Sequence, residues 1–410
     1  MHRRRGWRDL EVTVGLDKLD PSTRRQPEPL ADLLGNDDPT TLINGCKHGF
    51  KIPFLRERIP RWQIEGVARK EGKMCRMRSV PVFDTKSYFR EAFEPVALAA
   101  GIDLRFVNHR LDATTVDSVG DVDCVVLGSQ DDASAQVIAQ LADRGVKLIA
   151  LRTDGFNNVD LAAAREHGLR VVHVPTYSPH SVAEHAVALL LAVNRKIPLA
   201  HDRVRDQNFS LDGLVGFDLH GRTVGVVGAG RIGRVVAQIL AGFGMTVLLN
   251  NLEPDAEFAD RLGARYVDLD ELAGNSDVIT LHAPLLPATH HLVDDAFLNL
   301  CKPGVILINA SRGGLVDTNA LVRGLESGRV GGAGLDVYEG EAGLFFEDHS
   351  GEVLADRLFA SLVTFPNVLV TSHQGFLTTD ALQDMAASTI GNIARYYEGQ
   401  PALDGTLLTG

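Results

Sequence analysis

A glycine-rich segment constrains the fold of this chain more than any other feature of its sequence. The segment is G-A-G-R-I-G at 228–233, and it matches the pattern G-x-G-x-x-G. The apolar run Thr223–Val227 before it predicts a strand, and an apolar helical pattern follows it. In this context Gly228 permits a tight turn, Gly230 lets the backbone approach a pyrophosphate, and Gly233 lets the helix pack on the strand. The pattern predicts a dinucleotide site at the amino terminus of the helix.

Short apolar runs form two series, one on each side of a long helical pattern at 181–206 that opens with a Ser-x-x-Glu capping box, Ser181 and Glu184. Runs that are continuously apolar are typical of parallel strands with helices on both faces. The predicted fold class is α/β, with two doubly wound (Rossmann-like or flavodoxin-like) parallel-sheet domains and a cleft between them. The predicted strands are 79–83, 104–107, 124–127, 148–151 and 171–174, then 223–227, 246–249, 278–281, 305–308, 334–337 and 368–371.

These series predict the domain boundaries. Residues 77–178 plus 374–410 are expected to form a substrate (catalytic) domain, and residues 179–373 a dinucleotide-binding domain. Residues 1–76 contain six prolines, which interrupt any long periodic element. They are expected to be a poorly ordered extension, with a small regulatory segment as the alternative.

Composition excludes several classes of function. The chain of 410 residues has a net charge of −12, and an acidic surface repels phosphate backbones, so nucleic acid is not an expected partner. No apolar run reaches the roughly 18–20 residues of a membrane helix. The basic amino terminus is not followed by an apolar stretch, so we expect no membrane span, no secretory signal and a cytoplasmic location. The four cysteines lack zinc-site spacing, and no metal is expected.

Asn251 bears on the choice of dinucleotide. It lies 18 residues after Gly233, where an NAD-binding unit usually has Asp or Glu to bond the ribose hydroxyls. Asn can bond a hydroxyl but has no charge to repel a 2′-phosphate, whereas the nearby Glu253 disfavours phosphate. The predicted cofactor is therefore NAD, with NADP not excluded because of Asn251.

Three polar residues each follow a predicted strand of the second series. They are Arg312, Glu341 and His373, and the carboxyl ends of strands in one open sheet are where ligands bind. Reduction of a 2-oxo acid needs a carboxylate clamp, a group that polarises the carbonyl and a proton donor. Arg312 suits the first two needs. His373 suits the third, and Glu341 beside it would favour the protonated ring.

Several motifs together resemble the D-isomer-specific 2-hydroxyacid dehydrogenases, with the nearest resemblance to the fermentative D-lactate dehydrogenase branch. They are GFNNVD (155–160), VAEHA (182–186), GAGRIG (228–233), SRGGLVD (311–317), DVYEGE (336–341) and LFFEDHS (344–350). The resemblance runs from about Met77 to the carboxyl terminus. It implies that Arg312, Glu341 and His373 are catalytic and that the chain forms a homodimer, or a higher homo-oligomer, through the cofactor domain. Besides Gly228, Gly230, Gly233 and Asn251, the cofactor contacts that it implies are Arg231, Ile232, Ala283, Pro284, Thr289, Ala310, Ser311, Arg312 and Asp336.

The resemblance also bears on the substrate. Phe376 resembles a position that walls a small side chain, although a core Phe is the alternative. The segment Gly343–Ser350 resembles an insertion of the lactate branch, which favours pyruvate. With Arg312, the loop at Gly155 is expected to bind the substrate carboxylate through backbone N–H groups. Asp154 lies in that loop and would repel an anion unless it points away or pairs with Arg152.

The leading hypothesis is reversible reduction of pyruvate to D-lactate with NADH. A broader 2-ketoacid reductase that accepts larger side chains is the first alternative. A dinucleotide-sensing binding protein with the same fold is the second. The expected partner in the first two cases is a small 2-ketoacid or 2-hydroxyacid.

Overall fold

The computed structural model describes residues 78–175 and 177–409, so the predicted extension at 1–76 lies outside the described residues. The strands are β1 Arg78–Val82, β2 Ile102–Phe106, β3 Cys124–Leu127, β4 Leu148–Leu151, β5 Arg170–Val172, β6 Thr223–Val227, β7 Thr246–Asn250, β8 Arg265–Tyr266, β9 Val278–Leu281, β10 Val305–Asn309, β11 Val330–Leu335 and β12 Val368–Val370. The α-helices are α1 Ser87–Ala99, α2 Ala135–Asp143, α3 Leu161–Glu166, α4 Pro179–Asn194, α5 Ile197–Arg205, α6 Arg231–Gly242, α7 Ala256–Leu262, α8 Leu269–Asn275, α9 Asp295–Leu300, α10 Thr318–Glu326, α11 Arg357–Leu362 and α12 Thr379–Tyr397.

The first sheet has five parallel strands in the order β2-β1-β3-β4-β5. Its strands are apolar on both faces because helices cover both. On one face Phe93 of α1 and Ile390 of α12 are buried in the same cluster as Val80 and Val126. The strand order reverses between β1 and β3, which opens a crevice at their carboxyl ends.

The second sheet has seven parallel strands in the order β12-β11-β10-β9-β6-β7-β8. Here the order reverses between β6 and β9, so the crevice lies beside the glycine loop that follows β6. Two doubly wound parallel sheets confirm the predicted fold class. The domain boundaries stay predictions.

Two predictions about α4 and α5 are wrong. The structure has two helices in place of one continuous helix, because Lys196 adopts a left-handed conformation with a φ of 51°. The capping box also fails, since α4 begins at Pro179 and Ser181 lies inside it. The Ser181 hydroxyl is hydrogen-bonded to Thr378 Oγ1 at 2.7 Å. Proline is well suited to the first turn of a helix because its missing N–H is not needed there.

The strand β11 begins four residues earlier than the predicted strand at 334–337. Its glycines hid it from a search for apolar runs, and packing explains them. A Cβ at Gly334 would lie 2.8 Å from Ile308 Cδ1 and 3.0 Å from Leu189 Cβ, so α4 lies directly on the backbone of β11. None of the helices in the part of the chain that the structure describes combines the length and the hydrophobicity of a membrane-spanning helix.

Candidate active site

Two adjoining cavities lie beyond the carboxyl ends of the strands. The first, which we call the triad cavity, has a volume of about 230 Å³ and is lined by Arg312, Glu341 and His373. The second, the glycine-loop cavity, is lined by residues that include Gly230 and Asp336. The side chains of Arg312, His373, Tyr177 and Phe376 line both.

The glycine loop has the geometry that a pyrophosphate requires. Gly228 has a φ of 90°, and a Cβ there would lie 2.4 Å from the backbone N of Ala283. A Cβ at Gly233 would lie 2.1 Å from the carbonyl oxygen of Gly228. At Gly230, in contrast, a Cβ would meet no described atom within 4 Å, and no side chain caps the helix α6 that begins there. The amino terminus of α6 therefore lies beside space that a phosphate can fill.

The predicted cofactor residues fall into three groups. Those that line the glycine-loop cavity are Gly230, Arg231, Ile232, Ala310, Ser311, Arg312 and Asp336. Gly228, Gly233 and Ala283 support its wall through the close contacts described above. Asn251, Pro284 and Thr289 lie outside its lining. The Thr289 hydroxyl donates to the carbonyl of Pro284 at 2.7 Å and so closes the turn after β9.

Asn251 lies next to the glycine loop because the preceding residue, Asn250, ends β7 there. The backbone N–H of Gly228 donates a hydrogen bond to the carbonyl of Asn250 at 2.9 Å. The Asn251 Nδ2 donates to the carbonyl of Glu253 at 2.9 Å. One of its two amide hydrogens is thus used within its own loop. The side chain brings no negative charge to the end of β7, where an Asp would repel a 2′-phosphate.

His373 and Glu341 form a hydrogen-bonded pair. His373 Nδ1 and Glu341 Oε1 are 2.9 Å apart, and the other carboxylate oxygen accepts from the backbone N–H of Tyr338 at 3.2 Å. The carboxylate is an acceptor, so it selects the ring form with a proton on Nδ1. The remaining ring nitrogen, Nε2, is then available to the cavity. His373 has a φ of 50°, a left-handed conformation that is uncommon for a residue other than glycine.

Arg312 meets the predicted substrate loop directly. Its Nη1 donates to the carbonyl of Ser311 at 2.8 Å, and its own carbonyl accepts from Asn309 Nδ2 at 2.9 Å. A Cβ at Gly155 would lie 2.9 Å from Arg312 Nη2. Glycine at 155 therefore leaves room for the guanidinium, and the two predicted carboxylate-binding groups adjoin although they follow different sheets.

Asp336 holds the loop that carries His373. Its carboxylate accepts from Thr371 Oγ1 at 2.6 Å, and the two backbone N–H groups after His373 donate to it at 2.9 and 2.8 Å. His185 Nε2 lies 3.2 Å from the same carboxylate. Burial acts to raise the pKa of Asp336, but the hydrogen bonds, from His185 and Thr371 above all, outweigh it and lower this pKa. The carboxylate stays ionised and fixes the backbone around the histidine.

Asp154 does not pair with Arg152. Asp154 lines the glycine-loop cavity and is not among the residues that line the triad cavity, and its Oδ1 lies 3.8 Å from His173 Nδ1. Arg152 is 3% exposed and donates instead to two carbonyls of the turn after β1. Burial raises the pKa of Asp154, while the positive charge of His173, Arg231 and Arg312 opposes that rise. Of the two arrangements that sequence allowed, pairing with Arg152 is not the one found, and Asp154 lies outside the lining of the triad cavity.

Phe376 lines the cavities and also packs against the hydrophobic core of the first sheet. Its ring centroid lies 6.3 Å from that of Phe89 and 6.4 Å from that of Tyr177, and it lines both cavities. Sequence reasoning missed Tyr177 and Lys86 as lining residues. Each follows a strand of the first sheet within a few residues, and the rule that ligands bind beyond strand ends could have found them. His185, within the VAEHA motif, was missed as well; its place directly before the apolar run 186–193 of α4 was its signal.

Among the described residues, no group of three or more His, Cys, Asp or Glu side chains is placed to hold a metal ion.

Comparisons with known proteins agree with this geometry. The family model "D-isomer specific 2-hydroxyacid dehydrogenase, NAD binding domain" matches residues 187–375. A 2-hydroxyacid dehydrogenase homolog of Zymomonas mobilis is 44% identical over 326 residues, which cover 79% of this chain and 98% of that protein. The D-lactate dehydrogenase of Escherichia coli is 44% identical over 319 residues, 78% of this chain and 97% of that protein. The solved structure of the pyruvate reductase of Chlamydomonas reinhardtii superposes with a TM-score of 0.75 at 46% identity and covers 79% of this chain and 98% of that chain.

Proposed function

Because the chain belongs to the D-isomer-specific 2-hydroxyacid dehydrogenase family of NAD-dependent oxidoreductases, we propose that it reduces pyruvate to D-lactate, reversibly, with NADH. The observation that carries the proposal is one cavity that joins Arg312 to the hydrogen-bonded pair of Glu341 and His373. The alternative of a dinucleotide-sensing binding protein is not retained, since the family is one of enzymes.

Each residue has a distinct part in this proposal. NADH, when bound, supplies the hydride that the carbonyl carbon accepts. The Arg312 guanidinium binds the substrate carboxylate and stabilises the negative charge that grows on the carbonyl oxygen. His373 donates the proton to that oxygen from Nε2, and Glu341 stabilises the imidazolium before transfer. In the oxidation of D-lactate the same imidazole accepts the hydroxyl proton.

The size and lining of the triad cavity support pyruvate as the substrate. Its volume of about 230 Å³ is below the roughly 300–1,000 Å³ of pockets for drug-sized ligands. Aromatic side chains enclose it, among them Tyr88, Tyr177, Phe346 and Phe376. Relatives whose names specify D-lactate or pyruvate point to the same substrate.

The test is a spectrophotometric screen of small 2-oxo acids with NADH and with NADPH. We expect pyruvate with NADH to have the highest kcat/KM, with measurable NADPH use because Asn251 brings no charge. Preference for phenylpyruvate over pyruvate would instead establish the broader 2-ketoacid reductase. A preference for NADPH would contradict the cofactor assignment and leave the reaction class intact.

We also propose that the enzyme is a homodimer. The segment after α5 exposes Phe209, Leu211 and Val215, which are 72%, 78% and 83% exposed. A side chain of α5 holds its backbone, since Arg203 Nη1 donates to the carbonyl of Asp212 at 2.7 Å. A fixed segment that exposes apolar side chains is typical of a protein interface. The cytoplasmic location stays a prediction from the sequence, for cell fractionation to test.

A further inference from the structure

The insertion at 343–350 reaches from the second sheet to the first. Glu347, near its tip, places Oε1 2.8 Å from Arg110 Nη2 and 3.8 Å from Lys86 Nζ. Lys86 follows β1 and Arg110 follows β2, whereas the insertion follows β11. Lys86 Nζ also lies 3.1 Å from Asp84 Oδ1, so two cations alternate with two carboxylates. We call Asp84, Lys86, Arg110 and Glu347 the bridging cluster.

The residue before Glu347 covers the triad cavity. The Phe346 ring lines that cavity, and its centroid lies 5.8 Å from that of the His373 imidazole. Phe346 has a φ of 68°, and its backbone N–H donates to Ser372 Oγ at 3.4 Å. A left-handed conformation at a large residue persists only where its surroundings impose it. The contacts of its neighbours are therefore what keep the ring over the cavity.

The insertion is fixed at its base and held at its tip by charge. Phe345 is 4% exposed and packs on Phe359 of α11 with the ring centroids 5.8 Å apart. This contact anchors the base in the half of the molecule that contains the second sheet. The tip contacts the half that contains the first sheet, through Glu347. Asp84, which lines the same cavity, is itself in a left-handed conformation with a φ of 44°.

We propose that the bridging cluster sets the size of the 2-oxo acid that this enzyme accepts, by holding Phe346 as the wall of the triad cavity. Phe346 is the specificity-determining residue, and Glu347, Arg110 and Lys86 position it. The inference rests on the proposed function and adds to it the residues that favour a methyl group over a longer side chain. Partly exposed ion pairs of this kind stabilise weakly, so the tip of the insertion can open to admit the substrate and release the product. For the same reason, the loss of one ion pair should displace Phe346 without unfolding the chain.

The experiment compares Glu347→Gln and Arg110→Gln with the wild type on pyruvate, 2-oxobutyrate and 4-methyl-2-oxopentanoate. We expect the preference in kcat/KM for pyruvate over the branched acid to fall by about three- to five-fold, the effect of one such pair. The change should appear as a higher KM for pyruvate while kcat stays within about two-fold. Arg110→Lys, which keeps the charge, should restore most of the preference.

Asp348→Asn is the matched control. Its carboxylate accepts from the backbone N–H of Ser350 inside the insertion and does not contact the first sheet's half. This variant should keep the wild-type preference. Phe346→Ala should lower the preference further, and adding Glu347→Gln to it should have little more effect, since both act through one wall.

The outcomes separate this inference from the proposed function. If the wild type prefers another 2-oxo acid to pyruvate, the proposed substrate fails, and a shift of the chain-length profile in Glu347→Gln still supports the bridging cluster. An unshifted profile in Glu347→Gln and Phe346→Ala, in folded protein that reduces pyruvate, would overturn the inference alone. Equal loss of kcat on all substrates would also overturn it, because that is the mark of a purely structural role.

Discussion

His373 is held at its side chain and at its backbone: Nδ1 of the ring is hydrogen-bonded to Glu341, and the backbone N–H donates to the carbonyl of Asp336 at 2.7 Å. A proton donor held in this way needs little reorganisation when the substrate binds. The left-handed backbone of His373 has the same origin, because the loop turns sharply to bring its N–H groups onto Asp336.

Replacing Glu341 by Gln tests the proton donor. A neutral amide stabilises the imidazolium less than a carboxylate does and no longer selects the ring form with a proton on Nδ1, so the kcat of pyruvate reduction should fall by about ten-fold or more. The measurement is kcat at saturating NADH and pyruvate for the wild type and Glu341→Gln. Glu339→Gln is the control, since its carboxylate pairs with His291 at 2.8 Å instead. An unchanged kcat in Glu341→Gln would remove Glu341 from its proposed role.

Asp154 gives a stability prediction with a definite sign. Burial raises the pKa of this carboxyl in the folded protein, so folding disfavours its ionised form. The wild type therefore loses stability as the pH rises through the interval between the unfolded and folded pKa values. Asp154→Asn should raise Tm at pH 7 by roughly 1–2 °C, a small effect because the side chain is half exposed.

The thermal scan of Asp154→Asn should be repeated near pH 3. That pH lies below the unfolded pKa of an Asp, about 3.9, and below the raised folded pKa, so the carboxyl is protonated in both states and the gain should shrink toward zero. A gain that is equal at both pH values would mean that the carboxyl's charge is not its cause.

At the scale of single residues, the sequence predicted which residues line the site better than it predicted the orientation of their side chains. The carboxyl ends of strands bring Arg312, Glu341 and His373 to one cavity, because parallel strands of one sheet all end at the same edge. Their roles stay predictions. The direction of Asp154 could not be predicted, since it depends on His173 and Arg152, and each of these is oriented by contacts outside its own segment.

At the scale of elements, apolar runs predicted most of the strands because these strands are buried on both faces. The search for apolar runs was wrong where a strand contains glycines so that a helix can pack closely against its backbone. Gly332 and Gly334 interrupt the apolar run of β11, so the first part of this strand was not predicted. The same two glycines let α4 pack close to the sheet. It was also wrong at Lys196, where a single left-handed residue divides a helical pattern that hydrophobicity alone would continue.

Gly334→Ala tests this close packing. The new Cβ would lie within 3.0 Å of Ile308 and Leu189, so α4 must shift, and we expect a loss of about 1–3 kcal/mol in the free energy of unfolding. Gly274→Ala in α8 is the matched control, because its Cβ would lie 3.8 Å from its nearest neighbour outside the helix, the carbonyl oxygen of Leu300. Alanine there should be neutral or stabilise by up to about 1 kcal/mol through helix propensity. Urea denaturation measures both, and equal effects would contradict the packing argument.

At the scale of the whole molecule, the site exists because both sheets reverse their strand order and present those reversals to one cleft. Gly155 follows the first sheet and Arg312 the second, and the two touch. The bridging cluster joins the same two halves, and its Asp84 and Lys86 also line the triad cavity. The second half carries Arg312, Glu341 and His373, and the first half completes the cavity around them with residues such as Lys86, Gly155 and Tyr177. The fold class predicted the cleft, but its dimensions depend on these side chains from both halves.

The exposed apolar side chains of the segment after α5 lead to a prediction about the proposed dimer. Phe209→Ser with Leu211→Ser removes apolar area from the segment after α5, and if that segment forms the contact between copies, the variant should run as a monomer in size-exclusion chromatography with light scattering. Val353→Ser is the matched control, because Val353 is 95% exposed in a different segment and should leave the dimer intact. Obligate dimers gain stability from protomer concentration, so the wild type's Tm should rise on concentration and the double variant's should not. A wild type that is monomeric at micromolar concentration would refute the dimer, while a double variant that stays dimeric would move the contact to another face.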